Sequence, residues 1–196
     1  MKRVYQRVTG MVLILCMVLY ASIPAFAEKE TYLETAIHGL ILYNILEGYG
    51  DREYGEDDYL TREQMAAFLS RVERLDDDSI NLSFTDTDDI SDWALNSVRG
   101  CVKNGIIDGY SDGSFRPQNW ITTAEAVKMV VETIERTKNL RYPEGYMDYA
   151  ENNGLLYNID NNMNDFIKRG DVFKLIYTSY DQHRVIHLED YITVRK

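Results

Sequence analysis

Apolar positions in the middle of the chain follow a helical spacing, break, and resume. Trp93, Ser97, Val98, Cys101 and Val102 form one stripe, as expected of a helix with one buried face. Asn104-Gly105 ends it, since glycine takes the left-handed cap without a Cβ clash. Ile106-Ile107 is a short apolar pair, and Gly109-Tyr110 turns the chain. Thr122-Thr123-Ala124-Glu125 then reads as a capping box, with Thr122 as N-cap and Glu125 three residues on. The helix it opens is expected to bury Val127, Val130 and Ile134.

The same plan occurs earlier. Shifting the chain by 61 residues lays Tyr43–Leu69 on Asn104–Val130 without a gap. Ile45-Leu46 falls on Ile106-Ile107, Gly48-Tyr49 on Gly109-Tyr110, Asp51 on Asp112, and Thr61 on Thr122. Thr61 with Gln64 repeats the capping box. A weaker third copy follows at offsets of 49 and then 46. There Leu155-Leu156 replaces Ile106-Ile107, Asn158-Ile159 replaces Gly109-Tyr110, and Leu175-Ile176 supplies the buried face. Its loop is three residues shorter. Lys168 stands at its cap position, which should weaken that helix start by roughly 1 kcal/mol. An aromatic opens each copy: Tyr32, Trp93 and Tyr142. One helix–loop–helix of this size cannot bury its stripe alone, whereas three packed together can. Self-similarity at a fixed period is the organising feature of the chain.

The first 27 residues stand apart. A basic start, the apolar run Met11–Ile23 and the Ala25-Phe26-Ala27 site read as a secretory signal peptide, with Glu28 as first mature residue. The apolar run is too short for a stable membrane span. Its removal takes away Lys2, Arg3 and Arg7 and no acid, moving the net charge from −11 to −14. That balance disfavours nucleic acid and anionic membranes as partners. Cys101 remains as a single thiol, so the fold is held by its core, and a buried hydrophobe is the simplest reading of it.

The segments 84–98, 104–125, 60–66 and 167–175 together resemble the bacterial S-layer homology family. The resemblance covers about 28–182. It implies a mainly α fold of three helix–loop–helix repeats in a pseudo-threefold bundle with grooves between them. The expected divisions are a signal peptide at 1–27, repeats at 28–75, 84–138 and 139–182, and a tail at 183–196. It also implies non-covalent anchoring to the cell wall through an anionic, often pyruvylated, secondary cell-wall polysaccharide, and hence an exported, surface-bound protein. The family motif Ile-Thr-Arg-Ala-Glu places its arginine at a groove. Arg62 and Arg169 match that position, and Thr123 stands there in the second repeat, so the copy with the fullest loop lacks the charge.

Physical chemistry supports those positions as a polysaccharide-binding set. A guanidinium offers a rigid fork of donors to a carboxylate. The helix start beside it would offer free N–H groups. Tyr32 and Trp93 could stack on sugar faces, and Gly48 and Gly109 would let a ligand approach the backbone. No catalytic residue, metal ligand or cofactor is expected. The runs 86–92 and 158–165 lack the glycine and terminal glutamate of a calcium loop. The acidic run 73–89 reads as a solvated linker. His183 and His187 have ligand-like spacing, but the segment around them is strand-like.

Two other functions compete. One is a structural or adaptor surface protein that tethers a separate exported chain. The other is a wall-glycan hydrolase, for which no pair of carboxylates with separated roles stands out.

The tail alternates apolar Ile186, Leu188, Ile192 and Val194, which predicts a short C-terminal strand. It would either cover the third repeat or dock a partner by strand addition, and the first reading is preferred. Deleting 183–196 should therefore lower the melting temperature. Unchanged melting with loss of a co-purifying protein would favour docking instead.

Overall fold

A computed structural model describes residues 31–48, 50, 53–135, 140–159 and 162–183. The signal segment and the strand expected over 186–194 lie outside these residues, as does Tyr49. The fold is mainly α. Six helices lie among the described residues: α1 Tyr32–Leu42, α2 Arg62–Glu73, α3 Asp92–Lys103, α4 Thr123–Ile134, α5 Glu144–Asn152 and α6 Arg169–His183. None of them is long and apolar enough to cross a membrane.

Local chemistry sets the helix starts. Thr61 with Gln64 and Thr122 with Glu125 close the capping boxes expected of them. Thr31 with Glu34 closes another at α1. Its signal, Thr-x-x-Glu, stands openly in the sequence. Lys168 has no acceptor to offer α6, and its ammonium instead binds Asp57 at 2.8 Å.

The packing crosses from unit to unit. Helix α2 lies on α3, α4 on α5, and α6 on α1, while α4 also touches α2 and α6. Each unit's second helix therefore pairs with the next unit's first, and α6 returning to α1 closes the circle. This gives α2 and α4 cover on several sides, so Met65 through Ser70 are buried without a break. Helix α3 has one buried stripe instead, through Ala94, Ser97, Val98 and Cys101. Trp93 does not belong to it: the ring is 57% exposed, and Ala94 takes the core position beneath Val98. Cys101 is buried, with its Sγ 3.4 Å from the Ala66 carbonyl. Burial, then Asp76 and Glu73, push its thiol up to about 12, so it behaves as core.

The centre is a backbone ring. The Leu60 N–H donates to Ile167 O at 3.3 Å, Ile167 N–H to Ile121 O at 3.1 Å, and Ile121 N–H to Leu60 O at 3.1 Å. All three side chains are fully buried. The helices that follow start against the neighbouring loop. Arg62 and Glu63 N–H donate to Asn119 O and Pro117 O, both at 3.0 Å. Thr123 and Ala124 donate to Asp165 O at 2.9 Å and Met163 O at 3.0 Å. Arg169 and Gly170 donate to Asp58 O and Glu56 O, both at 2.9 Å. The expectation of free N–H groups at these helix starts is thereby corrected. The orphan donors of each first turn are already spent on holding the units together.

The acidic run 73–89, expected to be a solvated linker, is exposed in part and engaged in part. Asp86 accepts from the Phe115 and Arg116 N–H groups at 2.7 Å each. Phe84 stacks on Phe115 at 5.3 Å. Asp76 accepts from Ser70 and Ser97 hydroxyls at 2.7 and 2.8 Å. Asp76 and Asp86 are thus partners for donors elsewhere in the fold, while Asp78, Asp88 and Asp89 are exposed.

Glu63 shows how tightly the crossing is tied. It is 2% exposed. It accepts from Ser91 N–H at 3.0 Å, Ser91 Oγ at 2.9 Å and Gln118 Nε2 at 2.8 Å. Ser91 is the N-cap of α3 but makes no cap bond with its own side chain, so a carboxylate from α2 serves that end. Glu63→Ala would remove the acceptor of the Ser91 N–H and hydroxyl, while Gln118 keeps its 3.3 Å bond to Ser91 Oγ, and we expect a loss of about 1–3 kcal/mol in urea unfolding. A loss under about 0.5 kcal/mol would show that the contact carries little.

Candidate functional site

Among the described residues, the cyclic packing builds a cleft at Arg62 and another at Arg169. The larger, of about 300 Å³, is lined by Arg62, Asp108, Gly109, Tyr110, Lys128 and Tyr142, among others. Its walls come from three sequence units: Arg62 from the first, the Gly109-Tyr110 turn from the second, and Tyr142 from the third.

Arg62 is held rather than free. It is 7% exposed. Its Nη2 donates to Asp108 O at 2.7 Å, and Nη1 lies 3.5 Å from Glu125 Oε1. The guanidinium lies 4.7 Å from the centre of the Tyr110 ring, and Arg116 sits 4.2 Å from the same ring centre. Two cations thus bracket one aromatic face system, an arrangement favoured by the ring quadrupole. The Arg62 Nε is buried without a hydrogen-bond partner. Such a donor is costly to leave unmade.

Tyr110 completes the frame. Its hydroxyl donates to Glu125 Oε1 at 2.5 Å. Burial, followed by that bond, pushes its phenol up to about 12, so it is a neutral donor at ordinary pH. Glu125 also closes the capping box of α4, which fixes its carboxylate. Lys128 reaches Asp108 at 3.0 Å at the cleft mouth.

The second cleft, of about 240 Å³, brings together Gly48, Gln64, Phe68, Arg71, Trp93 and Arg169. Arg169 is buried, its Nε donating to Tyr54 O at 3.1 Å. Phe68 and Phe173 flank the guanidinium at 5.3 and 5.6 Å. The exposed Trp93 ring stands at the rim, available to a ligand.

Thr123 occupies the third equivalent place. It is buried, and its hydroxyl donates to Asp165 O at 3.3 Å. The loop on that side is the short one at Asn158-Ile159, whose Asn158 carbonyl accepts from Lys174 at 2.5 Å. Tyr32 is on this side too. Its hydroxyl shares a 2.5 Å hydrogen bond with Thr178, and its ring packs edge-on against Tyr157 at 4.9 Å. Tyr32 is therefore half-buried, engaged by Thr178 and Tyr157, and lines neither arginine cleft.

Of the residues marked from sequence, the structure joins Arg62 with Gly109, and Arg169 with Gly48 and Trp93. Sequence order suggests that each helix-start residue serves the loop just before it. The observed partner is the next unit's loop. The full Gly109-Tyr110 loop consequently faces an arginine after all, and the missing charge at Thr123 coincides with the degenerate third loop. The glycines have another cause than ligand approach. A Cβ on Gly109 would lie 2.6 Å from the Phe84 ring, and one on Gly48 would lie 2.7 Å from Glu53 O. The sequence reading missed Tyr110, Glu125, Asp108 and Tyr142 as groove residues. The repeated Gly-Tyr pair and the aromatic opening each unit were the available signals.

Residues 83–127 match the family model of the S-layer homology domain. The chain is 28% identical over 186 residues to a middle cell wall protein of Brevibacillus brevis, covering 87% of this chain and 18% of that protein. It is 31% identical over 143 residues to a cell surface protein of Thermoanaerobacter kivui, covering 70% of this chain and 18% of that one. It is 34% identical over 118 residues to the exoglucanase XynX of Acetivibrio thermocellus, covering 58% of this chain and 11% of the enzyme. The chain spans about a fifth of the length of the first two relatives. By these matches the chain carries an S-layer homology domain.

Packing against Phe84 makes Gly109 the sharpest check on this loop. Gly109→Ala should lower stability by about 1–3 kcal/mol, since the neighbours are a ring and a backbone oxygen. Thermal melting of the two proteins reads this, and equal melting temperatures would contradict the described loop.

Proposed function

We propose that this chain is exported and anchors non-covalently to the cell wall by binding an anionic secondary polysaccharide. An acidic group on the polymer, such as a pyruvate ketal, would enter the Arg62 cleft. The observation that carries this reading is the guanidinium itself. It is oriented by Tyr110, Glu125 and Asp108, and it keeps a donor unspent. A held cation loses little freedom when a ligand arrives, and guanidinium matches a carboxylate in shape. The Arg169 cleft, with Trp93 at its rim, would act in the same way on a second stretch of polymer. The clefts between the units would be the three-repeat grooves implied by the sequence.

A non-enzymatic role fits the carboxylates. Glu125 is engaged by a helix cap, Arg62 and Tyr110, and Glu63 by three donors. Neither is placed to protonate a leaving group. The similarity to an exoglucanase covers 11% of that enzyme, which suits a shared attachment segment better than shared chemistry. An adaptor role, tethering another exported protein, is compatible with wall binding and would be an addition to it.

The test is sedimentation of the mature protein with purified walls. Arg62→Gln should weaken binding by about 1.5–3 kcal/mol, the scale of a lost charge-assisted bond, while Thr123→Ala changes it little. Arg62→Lys, which keeps the charge and the stem but not the fork, should fall between. Binding should weaken with salt yet survive at about 0.15 M, where the Debye length is about 8 Å. Equal, small effects of the Arg62 and Thr123 variants, with melting unchanged, would remove the Arg62 cleft from the function.

A further inference from the structure

We propose that Tyr59, Trp120 and Phe166 form a second carbohydrate contact, separate from the arginine clefts, that takes an uncharged pyranose. Each ring immediately precedes a member of the central backbone ring, Leu60, Ile121 or Ile167. The rings meet one another at 5.0, 5.9 and 5.5 Å between centroids. They are nevertheless 43%, 52% and 46% exposed. The core beneath is already filled by the fully buried Leu60, Ile121 and Ile167. Mutual packing accounts for the buried half of each ring, and the exposed halves form a clustered apolar surface, which points to a contact.

The occupant follows from size, charge and edge chemistry. Three half-exposed rings offer on the order of 300 Å², against about 800 Å² per partner in a stable protein pair. The patch is too small for a second copy, and the acidic chain, at −11 overall, would repel itself. Rings in mutual contact leave no room between them for a cation. Exposed Asp58, Gln118, Asn119, Asn164 and Asp165 adjoin the aromatics in sequence, and Lys168, bridged to Tyr59, is paired with Asp57 at 2.8 Å. Among them carboxylates accept and amides both donate and accept, while the acids disfavour an anionic ligand. A pyranose matches: its axial C–H face is apolar, and its hydroxyls radiate at the edge. None of these three aromatics lines either arginine cleft. The proposal rests on the wall-binding reading only for the source of the sugar.

The chain has two tryptophans, so Trp93→Phe leaves Trp120 as sole emitter. This full-length protein would be titrated with two uncharged probes, maltotriose and triacetylchitotriose. We expect a saturable blue shift of Trp120 with at least one probe, at a Kd on the order of 1 mM. It should be insensitive to salt, and weakened roughly tenfold or more by Phe166→Ala and by Tyr59→Ala, provided circular dichroism shows each variant folded. It should persist in Arg62→Gln. No saturable shift with either probe would overturn the proposal. So would a shift abolished by Arg62→Gln, which would place the sugar in the cleft. A change in Trp120 emission on deleting 183–196 without sugar would also overturn it, because the chain's own tail would then cover the rings. A Trp120 response, with the protein carrying its native Trp93 failing to sediment with walls, would support this contact and count against the wall-anchoring reading alone.

Discussion

The backbone bonds from each helix start to the neighbouring loop are the constraint on which the rest of the structure depends. The Arg62 and Glu63 N–H groups on Asn119 and Pro117, Thr123 and Ala124 on Asp165 and Met163, and Arg169 and Gly170 on Asp58 and Glu56 follow one cyclic rule. Each replaces water at a first helical turn with a carbonyl from another unit. A unit without its neighbours would leave those donors buried or wet, and would lose the partner helix on which it packs. Stability and site geometry therefore come from the same contacts.

The rule also decides what a groove contains. Because each second helix starts against the next unit's loop, its first residue points toward that loop's turn. Arg62 meets Gly109-Tyr110, and Arg169 meets Gly48 and Trp93. Thr123, without charge, meets the shortened third loop. The two departures from the repeat, an absent arginine and a shorter turn, fall at one place instead of weakening two. Tyr32 packs on Tyr157 and Thr178 there, so its ring and hydroxyl are engaged by the third unit.

Much of this was legible in the chain because it is local. The capping boxes at Thr61 and Thr122 depend on residues three apart, and the Ile45-Leu46 and Ile106-Ile107 pairs are buried as their spacing suggests. What crosses between units was not legible. Nothing in the order of residues says that Arg62 lies with Tyr110, or that Glu63 caps α3, since those partners depend on how the circle closes. Trp93 was misplaced for a local reason: helical spacing admits it and Ala94 almost equally, and the smaller residue fits against α2. The acidic run 73–89 was only partly legible, because a carboxylate that accepts from backbone amides, as Asp86 does, has the same composition as one that faces water, as Asp88 and Asp89 do. The aromatics Tyr59, Trp120 and Phe166 recur at the repeat offsets of 61 and 46, but their meeting in one cluster depends on how the circle closes.

The central claim is that a groove is assembled across units, with Arg62 acting through the Tyr110 turn and not through the turn of its own unit. A double-mutant cycle on wall affinity tests it most directly, pairing Arg62→Gln once with Tyr110→Phe and once with Tyr54→Phe. The account predicts a coupling of about 1 kcal/mol for Arg62 with Tyr110, and additivity within about 0.3–0.5 kcal/mol for Arg62 with Tyr54. Additive behaviour with Tyr110 together with coupling to Tyr54 would contradict it.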